Sequence, residues 1–295
     1  MKKLLLLLLC VPLLVFCQEN KSISTDYILE INTRALYLDE NGEVDKAIKL
    51  LDSCLVLINQ NKHLDLYERL IVLGNKAYLL DKLGSFKEAL ILNNEKLDAL
   101  ELYFPEKKDA LLPVLNNISN NYVDLGNYED ALSVINRAIL ISEELNNTST
   151  SNFYVLLNTK SIILSNLGLY NESLSLELKI LEYRENSLGI YHDHYIASLN
   201  NIAITYSYLG KYSKTLEYSI KSSDLRLKKY GSNSVQYIYS LIQLSNAYFS
   251  LLQYQEAVNI LLESSEIYKL NNFVDLRLEA YLYHQLTRCY IKHQH

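Results

Sequence analysis

Large apolar residues recur along the chain at the spacing of an α-helix, at positions i, i+3, i+4 and i+7, and strand-like alternation is scarce. At six places a large apolar residue is followed four residues later by a small one. Two residues four apart lie on the same helix face, so the small one leaves room for a second helix to pack closely. This pattern predicts packed helix pairs. The six pairs are Ile31 with Ala35, Leu73 with Ala77, Leu115 with Ser119, Leu157 with Ser161, Leu199 with Ala203 and Leu241 with Ser245.

Glycine recurs seven residues after each small residue and marks a 42-residue period. A glycine can end a helix in the left-handed conformation at little cost, so we expect it to cap the first helix of each pair. Other helix breakers recur in the same period where the second helices should stop. The chain is therefore predicted to be a solenoid of six two-helix repeats. The glycines are Gly42, Gly84, Gly126, Gly168 and Gly210, with Leu252 in the sixth place, and the breakers are Pro105, Asn147, Gly189 and Gly231.

Two runs around these glycines carry a family resemblance. LNNISNNYVDLGNYEDAL (115–132) and LNNIAITYSYLGKYSKTL (199–216) resemble tetratricopeptide repeats. The 42-residue period and the segment YRENSLGIYHDHYIASLNNIA (183–203) are similar to the kinesin-light-chain-like subgroup. The resemblance implies an all-α fold, a right-handed α-solenoid (superhelix) of antiparallel helix pairs. It spans residues 25–295, as six repeats and a C-terminal capping helix.

Polar residues occupy some second-helix positions where this family usually buries apolar or small side chains. We expect the helix interfaces there to be the loosest. The residues concerned are Asn93 and Lys96 in the second repeat, Glu177 in the fourth, and Ser219 and Ser222 in the fifth.

The first 24 residues have a different character. Met1, Lys2 and Lys3 precede an apolar run of about 13 residues, from 4 to 16, which is shorter than the roughly 20 residues of a membrane span. We expect a secretory signal peptide, residues 1–17, followed by a short polar linker, 18–24. In the alternative, Cys17 is the lipid-attachment cysteine of a bacterial lipoprotein. Either version predicts export to the periplasm or the medium, with no membrane span in the mature chain.

The charge of the chain argues against nucleic acid as a partner. The sequence has 28 basic and 34 acidic residues, a net charge of −6, and loss of Lys2 and Lys3 would make it −8. Phosphate binding needs a basic stripe. The densest basic run, Arg226 to Lys229, falls at a predicted helix end, where cations suit the helix dipole.

The sequence offers no catalytic constellation, since it lacks a glycine-rich phosphate loop, a nucleophile elbow and a zincin-type helix. We therefore expect no enzyme activity and no cofactor. His192 and His194 supply two imidazoles in one turn, whereas zinc sites usually need three or four ligands, so no metal is expected. Cys54 and Cys289 should lie too far apart along a solenoid to pair, and Cys54 is interpreted as a core thiol.

The resemblance implies that the first helix of each repeat lines a concave groove. When each repeat is numbered from the residue equivalent to Ile28, side-chain amides gather at the fifth, sixth and ninth positions. An amide both donates and accepts hydrogen bonds, so a ladder of amides can pair with a peptide backbone. The alternative is that asparagine merely tolerates a crowded, half-exposed face. The predicted peptide-binding residues are Asn32, Asn75, Asn116, Asn117, Asn120, Asn158, Asn200, Asn201, Gln243 and Asn246.

The twelfth and thirteenth positions make the predicted groove uneven. In the first three repeats they are mostly acidic, and in the last three they are polar or aromatic, including Tyr208 and Phe249. Tetratricopeptide domains that clamp a C-terminal carboxylate use basic residues at particular groove positions. None of the six repeats carries lysine or arginine there, which disfavours a protein that binds the C-terminal tail of a chaperone. An extended segment that is basic toward one end and apolar toward the other would suit this surface. The residues predicted to set the groove electrostatics are Asp39, Glu40, Asp81, Lys82 and Asp124.

These observations predict an exported, non-enzymatic scaffold that binds a protein or an extended peptide along its concave, asparagine-rich groove. The alternative function is a sensory or regulatory input module of a truncated or split bacterial signalling protein, with its kinase or peptidase effector elsewhere. A third alternative is self-association through the C-terminal helix.

Overall fold

The computed structural model describes residues 24–61, 66–271 and 276–293, and the predicted signal peptide lies outside them. These residues form thirteen α-helices and no strand. The predicted all-α repeat fold is confirmed, with two helices for each 42-residue period. The helices are α1 Thr25–Glu40, α2 Val44–Gln60, α3 Leu66–Lys82, α4 Phe86–Tyr103, α5 Lys108–Asp124, α6 Tyr128–Glu144, α7 Ser151–Asn166, α8 Tyr170–Leu188, α9 Asp193–Tyr208, α10 Tyr212–Tyr230, α11 Val235–Ser250, α12 Tyr254–Leu270 and α13 Leu276–His293.

The first helix of every repeat ends in the same backbone motif. At the end of α1, Gly42 has φ 77° and its N–H donates to the carbonyl of Asp39 at 2.9 Å. The N–H of Glu43 donates to the carbonyl of Leu38 at 2.9 Å. These two bonds form a Schellman cap, which satisfies carbonyls that the end of the helix leaves unpaired. The predicted role of the periodic glycines is confirmed, since Gly84, Gly126, Gly168 and Gly210 also have positive φ.

Several first helices begin with a side-chain cap at one repeat position. Ser24, Thr150 and Ser234 each accept a hydrogen bond from the backbone N–H three residues later. His192 stands at the equivalent place and accepts from the N–H of His194 through Nδ1 at 3.2 Å. The His192–His194 turn is thus built into the start of α9. Across the described ranges, no group of three or more potential metal-ligating side chains occurs.

The chain divides into two compact units, the first through Asn121 and the second from Tyr122, with the boundary inside α5. In the first unit the core contains Ile28, Ala35 and Leu51, all fully buried. Ala35 is one of the small residues predicted to admit a neighbouring helix. Its burial in a cluster that α1 shares with α2 and α3 fits that prediction.

The second unit contains two described core clusters. The first is formed by α8, α9 and α10, and Leu199 is fully buried there. The second is formed by α11 and α12 and is joined by Leu278, Leu282 and Leu286 of α13. The terminal helix therefore covers the apolar face of the last repeat. No helix in the described part of the chain is long and apolar enough to cross a membrane.

Two buried polar residues of the second helices form hydrogen bonds to the helix that follows, whereas the buried hydroxyl of Ser222 has no partner among the described residues. Asn93 is 3% exposed, and its Nδ2 donates to Oδ1 of Asn121 at 2.9 Å. Glu177 is 7% exposed, and its Oε1 accepts from the hydroxyl of Thr205 at 3.0 Å. At these two places a polar contact between helices replaces the apolar packing expected from the family. Its geometry favours one arrangement of the two helices, because a buried polar group without its partner is costly.

Candidate functional site

Two of the predicted groove residues of the first unit bond to each other. Asn75 of α3 donates from Nδ2 to Oδ1 of Asn32 on α1, at 2.9 Å. Asn32 is only 6% exposed. This amide pair joins the first helices of two successive repeats. Part of its hydrogen-bonding capacity is consequently used within the fold.

Two predicted acidic residues of the first unit, Asp39 and Asp81, also have partners within the fold. Lys82 Nζ lies 2.6 Å from Oδ1 of Asp39, which is largely buried, so the two charges offset each other. Asn121 Nδ2 donates to Oδ1 of Asp81 at 2.6 Å and links that carboxylate to Asn93. Burial raises the pKa of Asp81, and the bond from Asn121 opposes that rise. Glu40 is exposed at the end of α1.

The predicted residues of α5 and α7 differ in exposure. Asn117 is exposed, whereas Asn116 and Asn120 are half-buried. Asp124, the last residue of α5, is exposed. Asn158 of α7 accepts a hydrogen bond at Oδ1 from the guanidinium of Arg184, at 3.3 Å.

Two cavities of about 420 Å³ each lie among the described residues of the second unit, and Gln243 lines both. The Arg226 cavity lies among α9, α10 and α11, and the Arg288 cavity among α9, α10, α11 and α13. Three predicted groove residues, Asn200, Gln243 and Asn246, line them. The Arg226 cavity is lined by Asp193, Ile196, Ala197, Asn200, Arg226, Tyr230, Gln236, Tyr239 and Gln243. The Arg288 cavity is lined by Ala203, Ile204, Ser207, Tyr208, Thr215, Ser219, Gln243, Asn246, Ala247, Phe249, Ser250, Tyr281, Gln285 and Arg288.

Two of these amides differ from the amide pair of the first unit. Within the ranges that the structure describes, the side chains of Asn200 and Gln243 are half-buried and make no hydrogen bond. Asn201, next to Asn200 on α9, is half-buried but does not line either cavity. Free amides on a cavity wall can both donate to and accept from a ligand backbone.

The Arg288 cavity combines a cation with aromatic and amide groups. The guanidinium of Arg288 lies 4.1 Å from the ring centroid of Phe249 and donates to Oδ1 of Asn246 at 2.7 Å. Among the described residues, Gln285 Oε1 and Arg288 Nε are buried without a hydrogen-bond partner. Tyr208 extends the aromatic wall and stacks on Tyr170 with ring centroids 4.9 Å apart. The cavity can therefore offer a flat apolar surface beside unsatisfied polar atoms.

The Arg226 cavity is lined by two oppositely charged residues, Asp193 and Arg226. Asp193 is paired with Lys229 at 2.8 Å and accepts a hydrogen bond from the hydroxyl of Tyr230. These two contacts hold the pKa of Asp193 below its ordinary value, with the bond from Lys229 as the larger cause. Arg226 donates to the carbonyl of Gln236 at 3.4 Å. In the basic run that ends α10, Lys229 thus forms an ion pair and Arg226 lines the cavity.

Sequence reasoning missed both arginines as site residues. Arg288 lies one repeat period after Asn246, at the ninth repeat position, but in a helix interpreted as a cap rather than as part of the groove. Arg226 is explained by the sequence pattern only as a helix-end cation. It also stands one repeat period after Arg184, and that periodicity is a usable signal.

Two family models, each described as a tetratricopeptide repeat, match residues 112–145 and 196–236. The chain therefore carries tetratricopeptide repeats at both places. No curated protein sequence matches the chain.

Solved structures show the same fold. One is a Podosopora anserina protein described as a putative kinesin light chain, whose TPR-like repeats are nearly identical to one another. It is 17% identical in sequence to this chain, with a TM-score of 0.64 over 71% of this chain and 99% of that one. BtubC from P. vanneervenii is 15% identical, with a TM-score of 0.61 over 84% and 93%. NprR, a quorum sensor from B. thuringiensis, in complex with its cognate peptide NprX, is 18% identical, with a TM-score of 0.60 over 92% and 74%. At these identities the similarity establishes the fold alone.

Proposed function

We propose that this chain is a non-enzymatic interaction scaffold that binds an extended peptide segment of a partner protein in the two cavities of the second unit. The observation that carries the proposal is that the cavities share Gln243 and are lined by uncommitted amides and by aromatic rings. Their volumes of about 420 Å³ each fall within the range of small-ligand sites. A short extended peptide could place one side chain in each cavity.

Each part of the proposed site has a separate role. Asn200 and Gln243 would pair with the peptide backbone, because an amide can bond to N–H and C=O groups whatever the peptide side chains are. Tyr239, which is 42% exposed, and Phe249 would contact apolar side chains. Asn201, on the same helix, would extend the backbone contacts beyond the cavities. The peptide complex of NprR gives precedent for this use of the fold, at the level of fold analogy.

The amides of the earlier repeats have a secondary place in the proposal. Asn32 and Asn75 would have to exchange their mutual hydrogen bond for a peptide contact, which reduces the net gain from binding. At Asn158, a peptide would likewise have to compete with Arg184 for the amide oxygen. We therefore assign the main peptide contacts to α9, α11 and α13.

A displayed library of random peptides tests the proposal. Peptides selected on the full chain should bind the variants Asn200→Ala and Gln243→Ala at least ten-fold more weakly, since each loses backbone contacts in the proposed site. The matched control is Asn259→Ala, because Asn259 is exposed on α12, lines neither cavity and, among the described residues, bonds through its side chain to Gln255 alone. Selected peptides that bind all four proteins equally well would contradict a site in these cavities.

We also propose export directed by residues 1–17. The support is the charged start and the apolar run of the sequence. Mass spectrometry of the protein from its native host should find an N-terminus at Gln18, or a lipid on Cys17 in the alternative. Recovery of an intact Met1 form from the cytoplasm would contradict both.

A further inference from the structure

Arg184 and Arg226 stand one repeat period apart, near the C-terminal ends of α8 and α10. The guanidinium of Arg184 is bonded on several sides. It donates to the hydroxyl of Ser198 at 2.6 Å, to the carbonyl of His194 at 3.2 Å and to Oδ1 of Asn158 at 3.3 Å. Arg184 thus ties α8 to the first helices on both sides of it.

Arg226 has chemically similar neighbours at the equivalent places, but it keeps one of the three contacts. The counterparts of Ser198, His194 and Asn158 are Ser240, Gln236 and Asn200. Arg226 donates to the Gln236 carbonyl at 3.4 Å, which is a long bond. The hydroxyl of Ser240 instead donates to the carbonyl of Tyr237 at 2.7 Å. In the described part of the chain, Asn200 makes no side-chain hydrogen bond.

The guanidinium of Arg226 is therefore poorly satisfied where it lines the cavity. A guanidinium carries five N–H donors in a planar fork, and one long bond uses few of them. Burial lowers the pKa of Arg226 because it removes water from the charged form, although the charge remains at neutral pH. A half-buried charge with one long hydrogen bond is weakly compensated by the protein, and a ligand that supplies an anion would compensate it better.

Nearby charges leave this position open to an anion. Asp193 lines the same cavity, but its carboxylate is already bonded to Lys229 and Tyr230. The charge of Asp193 also favours the charged form of Arg226, while Lys229 offsets that carboxylate at 2.8 Å. Arg226 is the cation among the residues that line the cavity. The amides of Asn200 and Gln243 line the same cavity and could add neutral donors.

We propose that Arg226 and Asn200 form a carboxylate-binding subsite, which receives an acidic side chain or the C-terminal carboxylate of the bound peptide. The planar fork of Arg226 would hold the two carboxylate oxygens side by side. The subsite rests on the proposed function and adds a chemical preference to it. It also places an acidic group of the partner at the second unit. The groove positions considered from the sequence lie on the first helices of the repeats, and Arg226 lies on a second helix, so this feature was not predicted.

The test uses three pools of fluorescent pentapeptides built from uncharged residues. One pool has free C-termini, the second has amidated C-termini, and the third is amidated with a single glutamate. Fluorescence anisotropy with the full chain should show at least ten-fold tighter binding for one or both carboxylate pools than for the amidated neutral pool. The pool that gains identifies the source of the carboxylate.

Two variants separate a local contact from a general effect of charge. Arg226→Gln should remove the preference, so that the carboxylate pools bind this variant no more tightly than the amidated neutral pool does. Arg226→Lys keeps the charge without the fork and should retain only part of the preference. The control Lys228→Gln removes one positive charge from an exposed position of the same helix and should keep the full preference.

The outcomes separate the subsite from the proposed function. Equal binding of all pools to the parent chain, or a preference that persists in Arg226→Gln, would overturn the subsite. The proposed function would stand in that case if Gln243→Ala still weakens the amidated neutral pool. If no pool binds, the result contradicts the proposed function, and the subsite is rejected with it.

Discussion

Leu252 and Gly210 adopt the same left-handed backbone conformation at equivalent places of successive repeats, with φ 61° and 70°. Both end a first helix, and Leu252 donates its N–H to the carbonyl of Phe249 at 3.0 Å as part of the same cap. A residue with a Cβ pays about 1–2 kcal/mol for this conformation, and glycine does not. The sixth repeat therefore keeps the turn without the residue best suited to it.

Leu252→Gly should raise the free energy of unfolding by up to about 1 kcal/mol, since it relieves the strained conformation at some cost in chain entropy. The side chain is 71% exposed, so its removal sacrifices little apolar burial. Urea unfolding measures the shift in midpoint. Leu252→Ala is the matched control, because it removes most of the same side chain but retains the strain. A gain shared equally by both variants would contradict the conformational explanation.

Glu177 should make the stability of the chain depend on pH. Burial raises its pKa above the ordinary value, and the hydroxyls of Thr205 and Ser173 oppose this rise only in part. A raised folded-state pKa means that the stabilising contribution is complete below the unfolded value of about 4.5 and is lost as the pH rises through the folded value. Each pH unit between the folded and unfolded pKa corresponds to about 1.4 kcal/mol.

The variant Glu177→Gln removes this ionisation and should gain stability over the parent as the pH is raised from 4 to 8. The comparison cancels Asp81, whose pKa is also raised, because both proteins retain it. Thr205→Val gives the opposite test, since it removes a hydrogen bond to the ionised carboxylate and should be more damaging at pH 8 than at pH 4. The difference in unfolding free energy between Glu177→Gln and the parent should therefore vary with pH. A constant difference would rule out this role of Glu177.

Arg184 and Arg226 should contribute differently to stability even without a ligand. Arg184→Gln loses three side-chain hydrogen bonds from a charged group, and we expect a loss of about 1.5–3 kcal/mol. Arg226→Gln loses one long bond and removes a poorly paired charge, so its unfolding free energy should stay within about 0.5 kcal/mol of the parent. Chemical denaturation of the two variants measures both values. An equal loss of unfolding free energy in the two variants would show that Arg226 stabilises the fold as much as Arg184 does.

The thiol of Cys54 should be inert in the folded chain. It is fully buried, and burial raises its pKa to about 11. At pH 8 only about one thiol in a thousand would be the reactive thiolate. Iodoacetamide labelling followed by peptide mass mapping should find Cys54 and Cys289 modified only when urea is present. Modification of Cys54 in the native chain at the rate of glutathione would contradict its assignment as a core thiol.

The repeating framework could be predicted because it depends on properties that single residues carry in any neighbourhood. Glycine tolerates the conformation of Gly42 wherever the turn occurs, and a small residue such as Ala35 leaves the same notch in any packed helix. Leu252 shows the limit, since the surrounding helices impose the turn on a residue that disfavours it. Local preference therefore predicts the motif but not every residue that adopts it.

The candidate site could be predicted only in part, because it depends on partners that the sequence does not reveal. Asn32 and Asn200 occupy the same repeat position, yet Asn32 is bonded to Asn75, whereas Asn200 lines a cavity. Arg184 and Arg226 are likewise the same residue in the same phase with different bonding. The difference lies in side-chain conformation and in the neighbouring helices, which one repeat position cannot encode.

The last prediction uses Asn75 and Asn200 to separate amides that hold the fold from amides that bind a ligand. Asn75→Ala breaks the bond to Asn32, which is buried, and should cost about 1–3 kcal/mol because an acceptor is left unsatisfied. Asn200→Ala removes an amide that has no partner among the described residues, so the unfolding free energy should change by less than about 0.5 kcal/mol. Peptide affinity should show the reverse order, with a loss for Asn200→Ala and little change for Asn75→Ala. If Asn200→Ala instead destabilises the chain as much as Asn75→Ala does, Asn200 is part of the folded framework and the proposed site loses its central amide.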